Sequence, residues 1–267
     1  MRVRVATTTS LYATGLLEYL AEEFNTRHPG VVIGYIPVGS GQALRIASDG
    51  SACLVLVHAP SLEKEYIEKG VLVNGSIFAY NYFVIAGPRE DPANISRAVN
   101  AVDAFKRIYE AGERGIAIFV SRGDRSGTHI RELLIWREAG LDPRDKIWYI
   151  EAGAGMAETL LLANEKRAYV LSDIGTFLKL KRDGRIPELE ILYTNSTELI
   201  NIYSVYLVKT CSGSERRAAI MFMEFLLGEG QELIGKYGVD LYGQPLFYPA
   251  RNKTDYLRSI WNILAEK

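Results

Sequence analysis

Val3-Arg4-Val5-Ala6-Thr7-Thr8-Thr9-Ser10 opens this chain, and its plan returns at Ile116-Ala117-Ile118-Phe119-Val120 followed by Ser121-Arg122-Gly123-Asp124-Arg125-Ser126-Gly127-Thr128-His129. Each is a short apolar run that feeds a cluster of hydroxyls and small residues. Helical spacing of apolar residues comes next: Leu16, Leu17, Leu20 and Phe24 after the first, Leu133, Leu134 and Trp136 after the second. A strand that enters a helix through such a turn leaves the first backbone N–H groups unpaired within the helix. The helix dipole places roughly half a positive charge at the same point, so the turn attracts an anion. Two such turns in separate halves of one chain imply a single anion clamped between two lobes.

Working outward, the alternation of strand and helix continues. A strand over 31–38 leads into Gly39-Ser40-Gly41-Gln42, and a strand over 53–57 leads into His58-Ala59-Pro60 and a helix over 62–69. The first 70 residues therefore form a βαβαβα unit, whose loops at the carboxyl ends of the strands share one edge. The second half repeats this with Ile147 to Ile150 entering Glu151-Ala152-Gly153-Ala154-Gly155 and Tyr169 to Leu171 entering Ser172-Asp173-Ile174-Gly175-Thr176. Longer β-rich runs at 78–86 and 199–208 lack a Gly-rich turn at their ends. They read as the strands that carry the chain from one lobe to the other and back, which implies a hinge. The expected fold is α/β with mainly parallel sheets, with lobe 1 built from 1–82 and 200–267 and lobe 2 from 83–199.

Composition narrows the function. The 267 residues are 48% hydrophobic and 24% charged, with a formal net charge of −1; a basic stripe for nucleic acid or an anionic membrane surface is not expected. An anion site must then be local. No apolar run approaches the roughly 18 residues of a membrane-spanning helix. Cys53 and Cys211 are the only cysteines, too few for a disulfide framework or a zinc site, and both are read as buried thiols. The three histidines, His28, His58 and His129, have no metal-ligand spacing; no metal cation and no cofactor are expected.

A tetrahedral oxyanion only accepts hydrogen bonds, so its site is made of hydroxyls, backbone N–H groups and a guanidinium. Thr9, Ser10, Ser40, Ser126 and Thr128 supply hydroxyls, Gly39, Gly41 and Gly127 let the backbone approach, and Arg122 adds a planar charged fork. Any one of these loops is also what an ordinary helix cap looks like; their combination makes the case for a site. Gly153-Ala154-Gly155, with no hydroxyl, reads equally as a tight turn. Asp124 either takes the proton of a protonated anion or holds Arg122, and the arginine two residues away favours the second. For His58 and His129 a structural role and ligand contact both stay open. No nucleophile paired with a base is legible, so no enzyme is expected.

Thr7-Thr8-Thr9-Ser10, Val38-Gly39-Ser40-Gly41-Gln42, Val57-His58-Ala59-Pro60, Phe83-Val84-Ile85-Ala86-Gly87-Pro88, the whole 121–129 segment and Gly155-Met156 run in the order of the signature blocks of TupA-type tungstate-binding proteins. The chain resembles that family, the extracytoplasmic receptors of ABC importers with the two-lobed type II periplasmic binding fold. The segment from Arg122 to Thr128 also resembles, more distantly, the RxDxSGT loop of phosphate-binding proteins. The resemblance implies anion contacts from Thr9, Ser10, Ser40, Arg122, Ser126 and Thr128, with Thr8, His58 and Gly127 as further candidates. It implies tungstate or molybdate as ligand, the permease of an ABC importer as partner, a monomeric receptor and an extracytoplasmic location, with an export signal expected to have been removed ahead of Met1. The alternatives are a phosphate or sulfate receptor of the same fold, or the effector domain of a transcriptional regulator. Two departures stand out: Ser51-Ala52-Cys53 replaces the family's usual Ala-Asp turn, and Ala154 and Ala157 stand where Gln and Gly are expected, which weakens any ligand role for residues 153–156.

Overall fold

The computed structural model describes residues 1–194 and 196–266, and the chain divides into two compact units, Met1–Asn81 with Ile202–Lys267 and Tyr82–Asn201. In the first unit β1 (Arg2–Thr8) is followed by α1 (Thr9–Ala13), α2 (Leu16–Arg27), β2 (Val32–Val38), α3 (Ser40–Ser48), β3 (Leu54–Val57), α4 (Pro60–Glu68) and β4 (Leu72–Pro88). β1 is the middle strand, parallel to β2 on one side and to β3 on the other. β1 alternates exposed and buried residues from Arg2 to Val5 and is wholly buried from there to Thr8; all four residues of β3 are buried, as in a strand covered on both faces. α2 turns Leu16, Leu17, Leu20, Ala21 and Phe24 inward, the stripe that its spacing demands. It stops at His28, because the residue before Pro29 is driven out of the helical region.

The second unit contains the end of β4, then α5 (Ala101–Glu113), β5 (Phe119–Ser121), α6 (Gly127–Glu138), β6 (Tyr149–Glu151), α7 (Met156–Lys166), β7 (Tyr169–Asp173), α8 (Ile174–Arg182), β8 (Leu189–Tyr193) and the start of β9 (Ile200–Val208). β5 runs parallel to β6 and β7, while β4 is antiparallel to β7 and β8. Successive residues serve opposite faces of this sheet. Phe83, Ile85, Phe119, Tyr169 and Leu171 join Phe105, Trp136 and Trp148 on one side, and Val84, Ala86, Val120 and Val170 join Leu160 and Phe177 on the other. Gly112 of α5 is required by this packing, since a Cβ there would collide with the Trp148 indole.

The chain returns to the first unit through β9 and ends with α9 (Gly213–Leu227), α10 (Gly230–Lys236), α11 (Val239–Tyr242), β10 (Tyr248–Pro249) and α12 (Thr254–Ala265). β9 lies antiparallel to β3, and β10 antiparallel to β4. The sheets are thus mixed. The βαβ strands are parallel, as expected, and β4 and β9, the strands in which the unit boundaries fall, bring the antiparallel pairs.

The reading of Cys53 and Cys211 as free thiols is overturned: they form a disulfide, with Cα atoms 5.1 Å apart. The cause is register. Leu54 pairs with Leu207 across β3 and β9, and the Val208 N–H donates to the Cys53 carbonyl at 3.0 Å, so the residue ahead of β3 and the residue past the end of β9 meet. They are 158 positions apart in sequence, which no local pattern reveals.

Candidate functional site

Register also aligns the loops of the first unit. Thr8 pairs with Val38 and Thr7 with Leu56, so β1, β2 and β3 end together and deliver Thr9-Ser10, Gly39-Ser40 and His58 to one edge. β1 extends further than its apolar run: Thr7 and Thr8 belong to the strand and Thr9 begins α1, with no loop between. Thr8 caps α1 by accepting the Leu11 N–H at 3.3 Å, and its Oγ1 lies 3.4 Å from the Ser10 hydroxyl. Ser10 is buried and Thr9 exposed. Gly39 caps α3 without a side-chain bond, which leaves the first turn open behind Ser40. Ser40 is 2% exposed, and its hydroxyl has no partner among the described residues.

His58 stacks on Tyr203 with centroids 5.0 Å apart. The loop that carries it is pinned by Glu63, which accepts the Ala59 N–H, the Tyr206 hydroxyl and the Trp261 indole N–H, each at 2.7 Å. Burial raises the Glu63 pKa above the usual carboxylate value, against the pull of these donors. Glu63 ties the start of α4 to β9 and α12, so the edge is held from below.

In the second unit Ser121 ends β5, and the loop 122–126 climbs to α6. Gly123 holds φ at 65° and passes so close to Glu151 of β6 that a Cβ would sit 2.9 Å from the Glu151 Cβ. Asp124 Oδ2 accepts from the Arg122 guanidinium, and Oδ1 accepts the Ser126 N–H at 3.0 Å. Ser126 caps α6 by accepting the His129 N–H at 3.3 Å. Its hydroxyl proton remains to donate, and Gly127 behind it is buried as the first residue of the helix. Arg122 is 5% exposed and Thr128 1% exposed; Arg122 Nε and Thr128 Oγ1 lack partners among the described residues.

α6 itself is anchored from within its unit. The buried Arg131 donates to the carbonyls of Glu198 and Ile200, both at 3.0 Å, and burial lowers its pKa to about 10. Glu132, one residue on, is fully buried; Tyr149 Oη donates to it at 2.7 Å and Trp136 Nε1 at 3.2 Å. The Ser121 hydroxyl is a further hydrogen-bond neighbour, and that hydroxyl in turn accepts the Gly123 N–H at 3.3 Å. Burial pushes the Glu132 pKa up to about 7 from 4.5. A raised pKa means that the folded chain keeps a proton which the unfolded chain releases, so this group's contribution is present below about pH 4.5 and lost as pH rises to about 7. Glu132→Gln removes that loss. The wild type is expected to lose on the order of 3 kcal/mol relative to the variant over this window, read from urea unfolding at pH 4.5 and pH 8; parallel pH profiles would show that Glu132 keeps its charge throughout.

Each unit therefore presents buried donors, next to the start of a helix, with no acceptor among the described residues. Residues 2–229 match the family model described as a PBP superfamily domain. The chain is 39% identical over 250 residues to the tungstate-binding protein TupA of Peptoclostridium acidaminophilum, covering 92% of this chain and 84% of that protein. The chain belongs to the TupA family of the PBP superfamily. Two solved structures agree. The tungstate ABC transporter protein from Geobacter sulfurreducens has 39% identity and a TM-score of 0.78 over 88% of this chain and 98% of its own. TupA from Desulfovibrio alaskensis G20 has 34% identity and a TM-score of 0.80 over 93% and 98%.

Within a TupA-family chain, the donors that stand without partners are the ones to test first. A buried hydroxyl with no bond costs about 1–3 kcal/mol, so removing it does not weaken the empty protein. Ser40→Ala and Thr128→Val are expected to leave the anion-free Tm unchanged or higher while lowering anion affinity about five- to tenfold each, measured by thermal unfolding and titration calorimetry. A lower Tm with unchanged affinity would make both hydroxyls structural. Thr7, whose Oγ1 is also buried and without a partner among the described residues, and Glu63, Arg131 and Glu132 were not legible as site-supporting residues. Thr7 and Thr8 look alike in sequence, and a buried carboxylate announces itself only by what surrounds it.

Proposed function

We propose that this protein is an extracytoplasmic receptor that captures a fully ionised tetrahedral oxyanion, tungstate or molybdate, and delivers it to the permease of an ABC importer. The observation that carries this reading is the set of buried, unpartnered donors at Ser40, Arg122 and Thr128; an acceptor-only ligand is their chemical complement. We infer that Thr8, Thr9, Ser10, His58, Ser126 and Gly127 are the remaining candidates for anion contact.

Asp124 favours a dianion over hydrogen phosphate. Its oxygens accept bonds from Arg122 and from the Ser126 N–H, and its role is read as holding the arginine rather than taking a ligand's proton. Membership of the TupA family supports transport rather than catalysis. The Cys53–Cys211 disulfide supports an oxidising compartment, and among the described residues no helix is long and apolar enough to cross a membrane.

A thermal-shift panel with tungstate, molybdate, sulfate and phosphate tests the assignment. A ligand present at about a thousand times its dissociation constant stabilises by roughly 4 kcal/mol, so tungstate and molybdate are expected to raise Tm clearly. A rise with phosphate or sulfate and none with tungstate or molybdate would transfer the receptor to the other ligand class.

A further inference from the structure

His129 has no part in the reading above, yet it is 5% exposed at the start of α6, directly after Thr128. Its Nδ1 accepts the N–H of Arg125 at 3.0 Å. Arg125 holds a left-handed φ of 57°, uncommon for a residue with a side chain, so this bond fixes both the loop and the ring. A nitrogen that accepts an N–H carries no proton, and the neutral imidazole must then carry its proton on Nε2. Burial lowers the His129 pKa below 6.5, which keeps the ring neutral at pH 7. The charged groups that act on it are Asp124, Glu151, Arg122 and Arg125, so the ring lies among the loop that carries Arg122 and the end of β6.

The result is a buried N–H donor, Nε2, without a partner among the described residues. Leaving such a donor unmade in the interior is unfavourable. Arg122 Nε and Thr128 Oγ1, within the same eight-residue stretch from Arg122 to His129, are unsatisfied in the same way. Three buried donors in one loop and helix start are thus left for acceptors that the described residues do not supply. We propose that His129 Nε2 donates a hydrogen bond to the bound oxyanion and is a further binding residue of the second unit. This rests on the reading of the protein as an oxyanion receptor. As an uncharged donor held by Nδ1 at a set orientation, it selects an oxygen by position and adds nothing to the charge of the site.

The decisive measurement is on the wild-type protein. With 15N-labelled histidine, the Nε2–H resonance of His129 is expected to move and to gain protection from exchange when tungstate saturates the site. His129→Asn gives the complementary test, because its short side chain retains an acceptor near Nδ1 and does not reach the position of Nε2. It is expected to bind tungstate at least about tenfold more weakly by calorimetry. A wild-type protein that binds tungstate with the Nε2–H signal unmoved, as it would be if Nε2 bonded a buried water, overturns the donor role and leaves the receptor reading standing. Unchanged affinity in His129→Asn does the same. A wild-type protein that binds no tungstate removes both.

Discussion

Arg122→Ala is expected to weaken tungstate and molybdate binding by at least about tenfold, and by as much as a hundredfold if the guanidinium makes two bonds to the anion. The side chain is 6% exposed and paired through Nη2 with Asp124, while Nε has no partner among the described residues. A charge-assisted hydrogen bond in such a place contributes about 1.5–3 kcal/mol, and a planar fork offers more than one. Arg122→Lys keeps the charge and loses the fork, so it is expected to fall between wild type and Ala. Asp124→Asn weakens the grip on the guanidinium and removes the charge opposite it, so its effect on affinity is expected to be smaller than that of Arg122→Ala. Titration calorimetry on the three variants reads this order directly. If Arg122→Ala binds as wild type does, the arginine serves only to shape the loop.

The disulfide carries the largest expected effect on stability. Cys53 and Cys211 close a loop spanning 158 positions, and the chain-entropy account assigns a crosslink of that length roughly 5 kcal/mol of destabilisation of the unfolded chain. Cys53→Ser with Cys211→Ser, or reduction of the wild type, is expected to lower Tm by about 10–20 °C. Unfolding followed with and without reductant checks it. Coincident transitions would mean that β3 and β9 hold each other through their ladder alone. The site loops themselves should keep their anion affinity at low temperature, because the crosslink lies at the opposite ends of those strands from His58.

Much of the architecture was legible because it rests on local rules. The 3.6-residue spacing of Leu16, Leu20 and Phe24 and the short apolar runs before Thr7 and Ser121 report which face is buried without reference to distant residues. Loop chemistry is local too: hydroxyls, glycines and one arginine between a strand and a helix specify donors before any coordinate is known. The boundaries slipped where the local signal was ambiguous. Thr7 and Thr8 read as turn residues and lie in β1, and Ile116 reads as strand and is half-exposed ahead of β5, because β-branched and polar residues at strand ends take their state from neighbouring strands.

What the sequence determined alone was the alternation of elements, the order of the donor loops and the family to which they belong, since each depends on residues close together in the chain. Tertiary structure decided the disulfide, which follows from the antiparallel register of β3 and β9. It decided the buried carboxylates Glu63 and Glu132, whose partners beyond their own helices come from β9 and α12 for the first and from β5 and β6 for the second. Above all it decided which donors in the Ser40 and Arg122 loops are already bonded and which are held open, because an unmade hydrogen bond is visible only once every possible partner nearby has been placed.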